Sequence, residues 1–379
     1  MPGSRIALAI TVVCLLGTTT ARGQAGPMAE EVFKNVEVLK GIPVREFMST
    51  MGFFSAATGM NCIQCHVEES AGNWARYADD TDLKRTARRM MAMVNSINQS
   101  WFRGQRVVTC YSCHRGGARP MVIPDLTEQY SDPILRVPDE ILRDVEGAPS
   151  ATQILDKYVQ AVGGMQRLAT LTSLVAKGDF EGYDDFDKYP VEIYAKAPDQ
   201  RTTISHGVYG DSTSTYDGRN GWVAAPDAVT PVPVLPLTTG DLDGARVEAE
   251  LAFPARLKQT LTEWRVGPPF TIDDREVYVV QGKLSAGGLP IKLFFDQESG
   301  LLVRLVYYAD TAVGRIPTQV DYADYRDVSG IKMPFKLTRT WTDGRSIIEL
   351  RSVELNASID AAKFAKPAPP GPPLRSAPR

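Results

Sequence analysis

Residues 62–66 read Cys-Ile-Gln-Cys-His and residues 110–114 read Cys-Tyr-Ser-Cys-His. Both are C-x-x-C-H, the attachment signature of c-type haem. Two thiols three positions apart can form thioethers to the two vinyl groups of one porphyrin, and the histidine that follows presents its imidazole to the iron from one face. Around the two motifs, the stretch from about Gly26 to Pro120 is helical in pattern and holds every cysteine except Cys14. The expectation is a small α-helical multihaem domain with two covalently attached haem c groups. Their iron and porphyrin would be bound through Cys62, Cys65, His66, Cys110, Cys113 and His114.

Three other uses of such cysteines are weaker. A four-cysteine zinc site brings its second pair within about 15–20 residues of the first, and Cys65 and Cys110 are much farther apart. A redox dithiol or a structural disulfide does not require a histidine after each pair. Four cysteines and two of the three histidines nevertheless fall inside the motifs, leaving only His206 elsewhere. His206 reads as a structural strand residue.

A low-spin electron-transfer haem needs a second axial ligand, and with histidine nearly exhausted methionine is the natural donor. Val44–Thr58, closed by Gly59, is a helix-like stretch with Met48 and Met51. Thr81–Trp101 is a longer one with Met90, Met91 and Met93. Met60 stands too close to Cys62 to reach the opposite face, and methionine at helical spacing often fills core instead, the reading preferred for Met48 and Met93. Composition leaves Met51 against Met48, and Met90 against Met91, undecided.

Beyond the motifs the language changes. Pro120, Pro124, Pro133, Pro138 and Pro149 interrupt residues 121–149, which read as a linker lying over the surface. Ser150 caps an amphipathic helix from Ala151 to Val162, stopped by Gly163-Gly164. From Ser173 onward β-branched and aromatic residues alternate between turn pairs such as Asp217-Gly218, Ser299-Gly300, Ser329-Gly330 and Asp343-Gly344, the mark of successive hairpins. Ile291–Phe295 should pair with Leu301–Tyr308, and Lys336–Trp341 with Arg345–Leu350. One helical interruption runs from about Asp241 to Thr262. The fold class is therefore α+β: the helical domain over 26–120, then a curved, half-barrel-like antiparallel sheet with packed helices over 150–366. A Pro-rich tail, 367–379, reads as disordered.

At 379 residues the chain exceeds the size at which one core keeps growing, in keeping with two domains. Residues 1–25 have the layout of a secretory signal peptide, with Arg5, an apolar run from Ile6 to Leu16 and small residues up to Ala25. That run is too short to span a bilayer comfortably. Cys14 lies inside it after Val13, which is larger than a lipoprotein cleavage site wants. The expected location is the periplasm. Loss of 1–25 removes Arg5 and Arg22 and no acid, lowering Lys+Arg from 42 to 40 against 45 Asp+Glu, and this mild acidity argues against nucleic acid.

The segments Asn-Val-Glu-Val-Leu-Lys-Gly-Ile-Pro-Val-Arg-Glu-Phe-Met-Ser-Thr-Met (35–51), Ala-Arg-Arg-Met-Met-Ala-Met (87–93) and both cysteine motifs resemble the cytochrome subunit of photosynthetic reaction centres of purple bacteria. The resemblance covers roughly Asn35 to Pro120. It implies that Met51, 11 residues before Cys62, and Met90, 20 before Cys110, bind iron. The photosynthetic subunit has four haems, and its helix-to-motif loop includes a histidine that serves a distant haem. No histidine lies between Trp101 and Cys110 here, consistent with two haems. Two-haem relatives with a C-terminal β domain look like general periplasmic electron carriers. The strand region, in segments 291–310 and 324–341, resembles the curved-sheet carriers that sort bacterial lipoproteins, which implies a lipid or protein ligand on that sheet or a packed scaffold.

The function expected is single-electron transfer between periplasmic or membrane-bound redox proteins, not enzyme catalysis. The alternatives are a peroxidase-like redox enzyme with one open iron, and a lipid-sensing module coupled to the haems. From Lys84 to Arg119 the chain has eight bases and no acid. These bases suit a docking face for an acidic partner, or arginines such as Arg88, Arg89 or Arg115 set against haem propionates.

Overall fold

The computed structural model describes residues 26–123, 137–183 and 187–371. The expected signal peptide, residues 124–136 of the expected linker and residues 372–379 of the expected tail lie outside them.

The N-terminal part is built from short helices: α1 (Ala29–Val32), α2 (Val44–Thr58), α3 (Cys62–Cys65), α4 (Asp82–Trp101) and α5 (Cys110–His114). Helix α2 starts after Pro43 and stops at Gly59, whose φ of 68° ends the helix while its N–H donates to Ser55 O at 2.8 Å. Helix α4 starts where the Thr81 hydroxyl accepts from Lys84 N at 3.1 Å. Only Met91, Val94 and Asn98 of its 20 residues are buried, so a single narrow strip fixes it to the protein.

After α6 (Ala151–Ala161) and α7 (Met165–Leu168), the chain forms one large antiparallel sheet. Its first half comprises β1 (Ser173–Glu181), β2 (Tyr189–Lys196), β3 (Gln200–Gly207), β4 (Gly210–Tyr216), β5 (Gly221–Ala224) and β6 (Val234–Pro236). The chain then crosses a face of the sheet as α8 (Thr239–Leu251) and α9 (Leu257–Thr260). It re-enters as β7 (Thr262–Val266), β8 (Phe270–Ile272), β9 (Arg275–Lys283) and β10 (Ile291–Asp296). It ends with β11 (Leu302–Asp310), β12 (Arg315–Val328), β13 (Ile331–Trp341) and β14 (Gly344–Leu355). The order is β6-β5-β4-β3-β2-β1-β14-β13-β12-β11-β10-β9-β7, with β8 on β9. The sheet is open, with edges at β6 and β7. Both expected hairpins form, with Lys292 opposite Val306 and Leu337 opposite Ile348.

Helix α6 buries Ile154, Leu155, Tyr158 and Val159 against Leu293, Phe295 and Leu305. Apolar burial of this kind, at about 25 cal/mol per Å², is the main force holding helix to sheet. The outer face of β9 to β11 is covered too, by residues 137–149. Ile141 packs with Val277, Val279, Phe294 and Val303. Its backbone is held on both sides by Gln281, with Ile141 N donating to Oε1 at 2.8 Å and Nε2 donating to Ile141 O at 3.3 Å. The described part of the expected linker lies mostly exposed over the surface, and Ile141 and Val137 anchor it to a second small core. Strand β10 is buried along its whole length because both its faces are packed.

The helical part rests on one end of the sheet. Arg45 pairs with Asp241 at 2.7 Å, Trp74 Nε1 donates to Asp227 O at 2.7 Å, and Phe53 and Ala57 of α2 pack with Ala309 and Ile316.

Candidate functional site

Each cysteine motif is a single capped helical turn. In the first, Asn61 Oδ1 accepts from Gln64 N at 3.1 Å and Gln64 Oε1 accepts from Asn61 N at 2.8 Å. This reciprocal box starts the turn that sets Cys62 and Cys65 on one side. His66 follows, with its N–H on Cys62 O at 2.9 Å. The His66 ring meets the edge of Tyr77 at 4.9 Å and 65°. Its Nδ1 is buried without a well-formed hydrogen bond. Burial pushes the imidazole pKa down, helped by nearby Lys84, while the Tyr77 backbone opposes the shift. The neutral ring that results is the form that binds metal.

The loop from this motif into α4 is tied at both ends. Thr81 Oγ1 donates to Cys65 O at 2.5 Å, and Lys84 Nζ caps the Tyr77 and Ala78 carbonyls at 2.9 and 3.0 Å.

In the second motif Thr109 caps the turn and its N–H donates to Ser112 Oγ at 3.0 Å. The approach is set by Asn98, which is 4% exposed. Its Nδ2 donates to Val108 O at 2.7 Å, and its Oδ1 accepts from Val107 N at 3.2 Å and Val108 N at 3.0 Å. His114 Nδ1 lies 3.0 Å from Gly117 O. A carbonyl only accepts, so Nδ1 carries the proton and Nε2 is left as the metal-binding nitrogen. Cys65, Cys110 and Cys113 are free thiols, and burial raises the pKa of Cys65 and Cys110. Among the described residues no group of three or more His, Cys, Asp or Glu converges as a metal cluster, so the motifs do not assemble a four-cysteine zinc site there.

The two motifs interlock. Gly116 N donates to Ala57 O at 2.9 Å, and a Cβ on Gly59 would stand 2.4 Å from Gly116 O. The helix before the first motif therefore ends against the turn after the second, and only glycine permits that approach.

The methionines divide by environment. Met91 is 7% exposed and packs inward, whereas Met90 is 39% and Met93 45% exposed. Met51 and Met48 are both half-buried on α2. Ile63 and Tyr111 within the motifs, and Leu83 and Trp101 near the two ends of α4, are large apolar side chains left exposed. Tyr77, Trp74, Asn98 and Gly117 were not singled out in the sequence. Their signal, an aromatic or amide at an unremarkable spacing, has meaning only once the loops are placed.

Of the arginines expected at propionates, Arg88 is already engaged, by Asp80 at 2.9 Å and Glu37 at 3.0 Å. Arg89 contacts only its neighbour Thr86, at 2.9 Å, among the hydrogen bonds seen. His206 is fastened to Asp211 at 2.8 Å in the β3–β4 hairpin, the structural use expected of it. Inside the curve of the sheet a cavity of about 70 Å³ remains, lined by Ala176, Ile193, Leu251 and Val353 with Arg201 and Glu248 as its charged groups. No described helix is long and apolar enough to cross a membrane.

Residues 11–131 match the family model of the photosynthetic reaction centre cytochrome C subunit. The chain is 40% identical over 104 residues to that subunit from Thermochromatium tepidum, a match covering 26% of this chain and 24% of the relative. It is 34% identical over 110 residues to the subunit from Rubrivivax gelatinosus, covering 28% of each. The chain thus spans about a quarter of the length of these curated relatives. The strand region aligns with the crystal structure of the LolA superfamily protein NE2245 from Nitrosomonas europaea. That alignment has 16% identity and a TM-score of 0.40, and covers 58% of this chain and 99% of that one. The segment that carries both C-x-x-C-H turns is thus similar to the photosynthetic reaction-centre cytochrome c subunit, and it is joined here to a large open antiparallel sheet.

Proposed function

We propose that residues 26–120 hold two haem c groups and that the protein passes single electrons between periplasmic or membrane-bound redox partners. Cys62 and Cys65 would tether one haem, which His66 and Met51 would hold at its iron. Cys110 and Cys113 would tether the other, which His114 and Met90 would hold. The observation that carries this reading is the His114 contact with Gly117, which fixes the tautomer that leaves Nε2 bare.

When bound, a haem supplies an iron that takes up and gives back one electron at a time. The chain's own residues do the rest. Tyr77 restrains the His66 ring, and burial keeps that ring neutral and ready to coordinate. Asn98 and Thr109 hold the second turn so that its thiols and imidazole share one face. The exposed thioether of Met90 is available to a cofactor, while Met91 is committed to packing. Sulfur ligation and exclusion of water both favour the reduced state, so the midpoint potentials are expected to be fairly positive. A carrier with both irons six-coordinate needs no open position, which separates it from a peroxidase-like enzyme.

The test is a haem count on the purified full-length protein by the pyridine haemochrome method, with spectra of Met51→Ala and Met90→Ala. Two haems per chain and loss of part of the methionine–iron absorption band in each variant are expected. A colourless protein, or an unchanged band in both variants, refutes the assignment. Carbon monoxide should bind little to the reduced wild type, and full binding at one iron would favour the enzyme instead.

A further inference from the structure

We propose that the turn between β11 and β12, Thr311–Gly314, forms a wall of the second haem's pocket, so that this turn tunes the second haem more than the first. The inference rests on the haem reading above.

The turn is locked from within. Thr311 is fully buried, its N–H and its hydroxyl both donate to Gly314 O, at 2.8 and 2.6 Å, and Gly314 N donates back to Thr311 Oγ1 at 3.2 Å. Such a turn is a rigid presenter of the residues between its ends. It is also anchored to the helical part, because the Arg106 guanidinium donates to Thr311 O.

What it presents is aimed at the second motif. Val313 and Cys110 pack against the same apolar cluster, formed by Phe53, Ala57, Ala309 and Ile316. A Cβ on Gly314 would stand 2.7 Å from the Phe53 ring and 3.3 Å from Cγ2 of Thr109, the residue that caps the second turn. The space left among Met91, Asn98, Arg106, Cys110, Ala312 and Val313 is about 10 Å³, room for one water at most. The sheet thus closes off the side of Cys110, a thiol that tethers porphyrin, with close-packed apolar atoms.

The first motif is served differently. There the sheet side reaches Trp74, through Asp227 O, and Trp74 stacks on Tyr77, which in turn meets His66; a Cβ on Gly52, next to Met51, would stand 2.9 Å from Thr342 Oγ1 of the β13–β14 turn. Two rings stand between Asp227 and His66, and Met51 is approached by a different turn from the one that meets Cys110. Polarity introduced at Val313, beside Cys110, should therefore be felt most by the second haem, and it should favour the more highly charged oxidised state there.

The experiment is an optical redox titration of full-length holoprotein. The step that belongs to the second haem is identified as the one missing from Cys110→Ala/Cys113→Ala. Val313→Thr, nearly isosteric, should shift that step to lower potential, and by more than it shifts the other. Gly314→Ala, which must push the turn off Phe53 and Thr109, should move the same step in the same direction. No shift in Val313→Thr, or equal shifts of both steps, overturns the proposal. If the wild type carries other than two haems, the underlying haem reading fails instead, so the two failures are distinguishable.

Discussion

Met90 and Met91 are adjacent on α4, yet Met90 is 39% exposed and Met91 7%. A helix turns about 100° per residue, so one faces the protein and its neighbour stands aside from it. Met91→Ala should cost about 2–5 kcal/mol, as for other buried methionines, while leaving the methionine–iron band intact. Met90→Ala should do the reverse, with the band diminished and the apolar packing kept. Urea unfolding and visible spectra on the same two variants check both halves.

Asn98 satisfies two backbone N–H groups and one carbonyl of the loop leading into the second motif. Asn98→Ala strands those groups in a buried place. A loss of about 1–3 kcal/mol is expected, together with a lower yield of haem at the second motif relative to the first. Equal haem occupancy at the two motifs would argue against this positioning role.

Gly59 combines a φ of 68° with the close approach to Gly116 O. Gly59→Ala carries both a left-handed backbone penalty and a steric clash, so a destabilisation of at least about 1–3 kcal/mol is expected in thermal unfolding. Gly41, also at positive φ but with nothing near its missing Cβ, is the control and should lose less on the same substitution.

Lys292 is 1% exposed, and its ammonium donates to Pro138 O. Burial pushes its pKa down to about 8, against the pull of Asp139 and Glu140. The folded form therefore sheds a proton that the unfolded chain keeps until about pH 10.4. Between those values the unfolded state binds more protons, so stability rises with pH across the window and is flat in this respect below it. Relative to Lys292→Met, wild type should gain up to about 3 kcal/mol from pH 8 to 10.5 in urea titrations. A parallel pair of curves would refute the assignment.

Local structure was largely legible. The residues that start and stop α2, α4 and α6 are Pro43 and Gly59, Thr81, and Ser150, and each acts within a few positions of itself. Turn pairs such as Ser329-Gly330 mark hairpins for the same reason, since both residues adopt positive φ there. The C-x-x-C-H spacing is likewise a short-range constraint. What escaped was anything decided by a surface arriving from far away. Residues 137–149 read as linker because prolines break them, yet Ile141 and Val137 find a face of β9 to β11 to cover. Ile291–Asp296 shows no alternation because that cover makes both its faces interior. Arg88 reads as a partner for haem propionates or for an acidic docking partner, but Asp80 and Glu37, the latter remote in sequence, pair with it. Which of Met90 and Met91 faces the protein needed the direction in which α4 is pinned.

The seam between β1 and β14 bears on assembly. β14, the last described strand in chain order, lies between β1 and β13, so the two halves of the sheet are joined only once residues 344–355 have been made. Closing such a long loop carries an entropy cost that purely local hairpins avoid. A polypeptide ending before Gly344 should therefore lose the cooperativity of the entire sheet and not merely one strand. Both cysteine turns, in contrast, are made long before the Thr311–Gly314 turn exists, so the Cys110 thiol stays open to derivatisation until Val313 packs beside it.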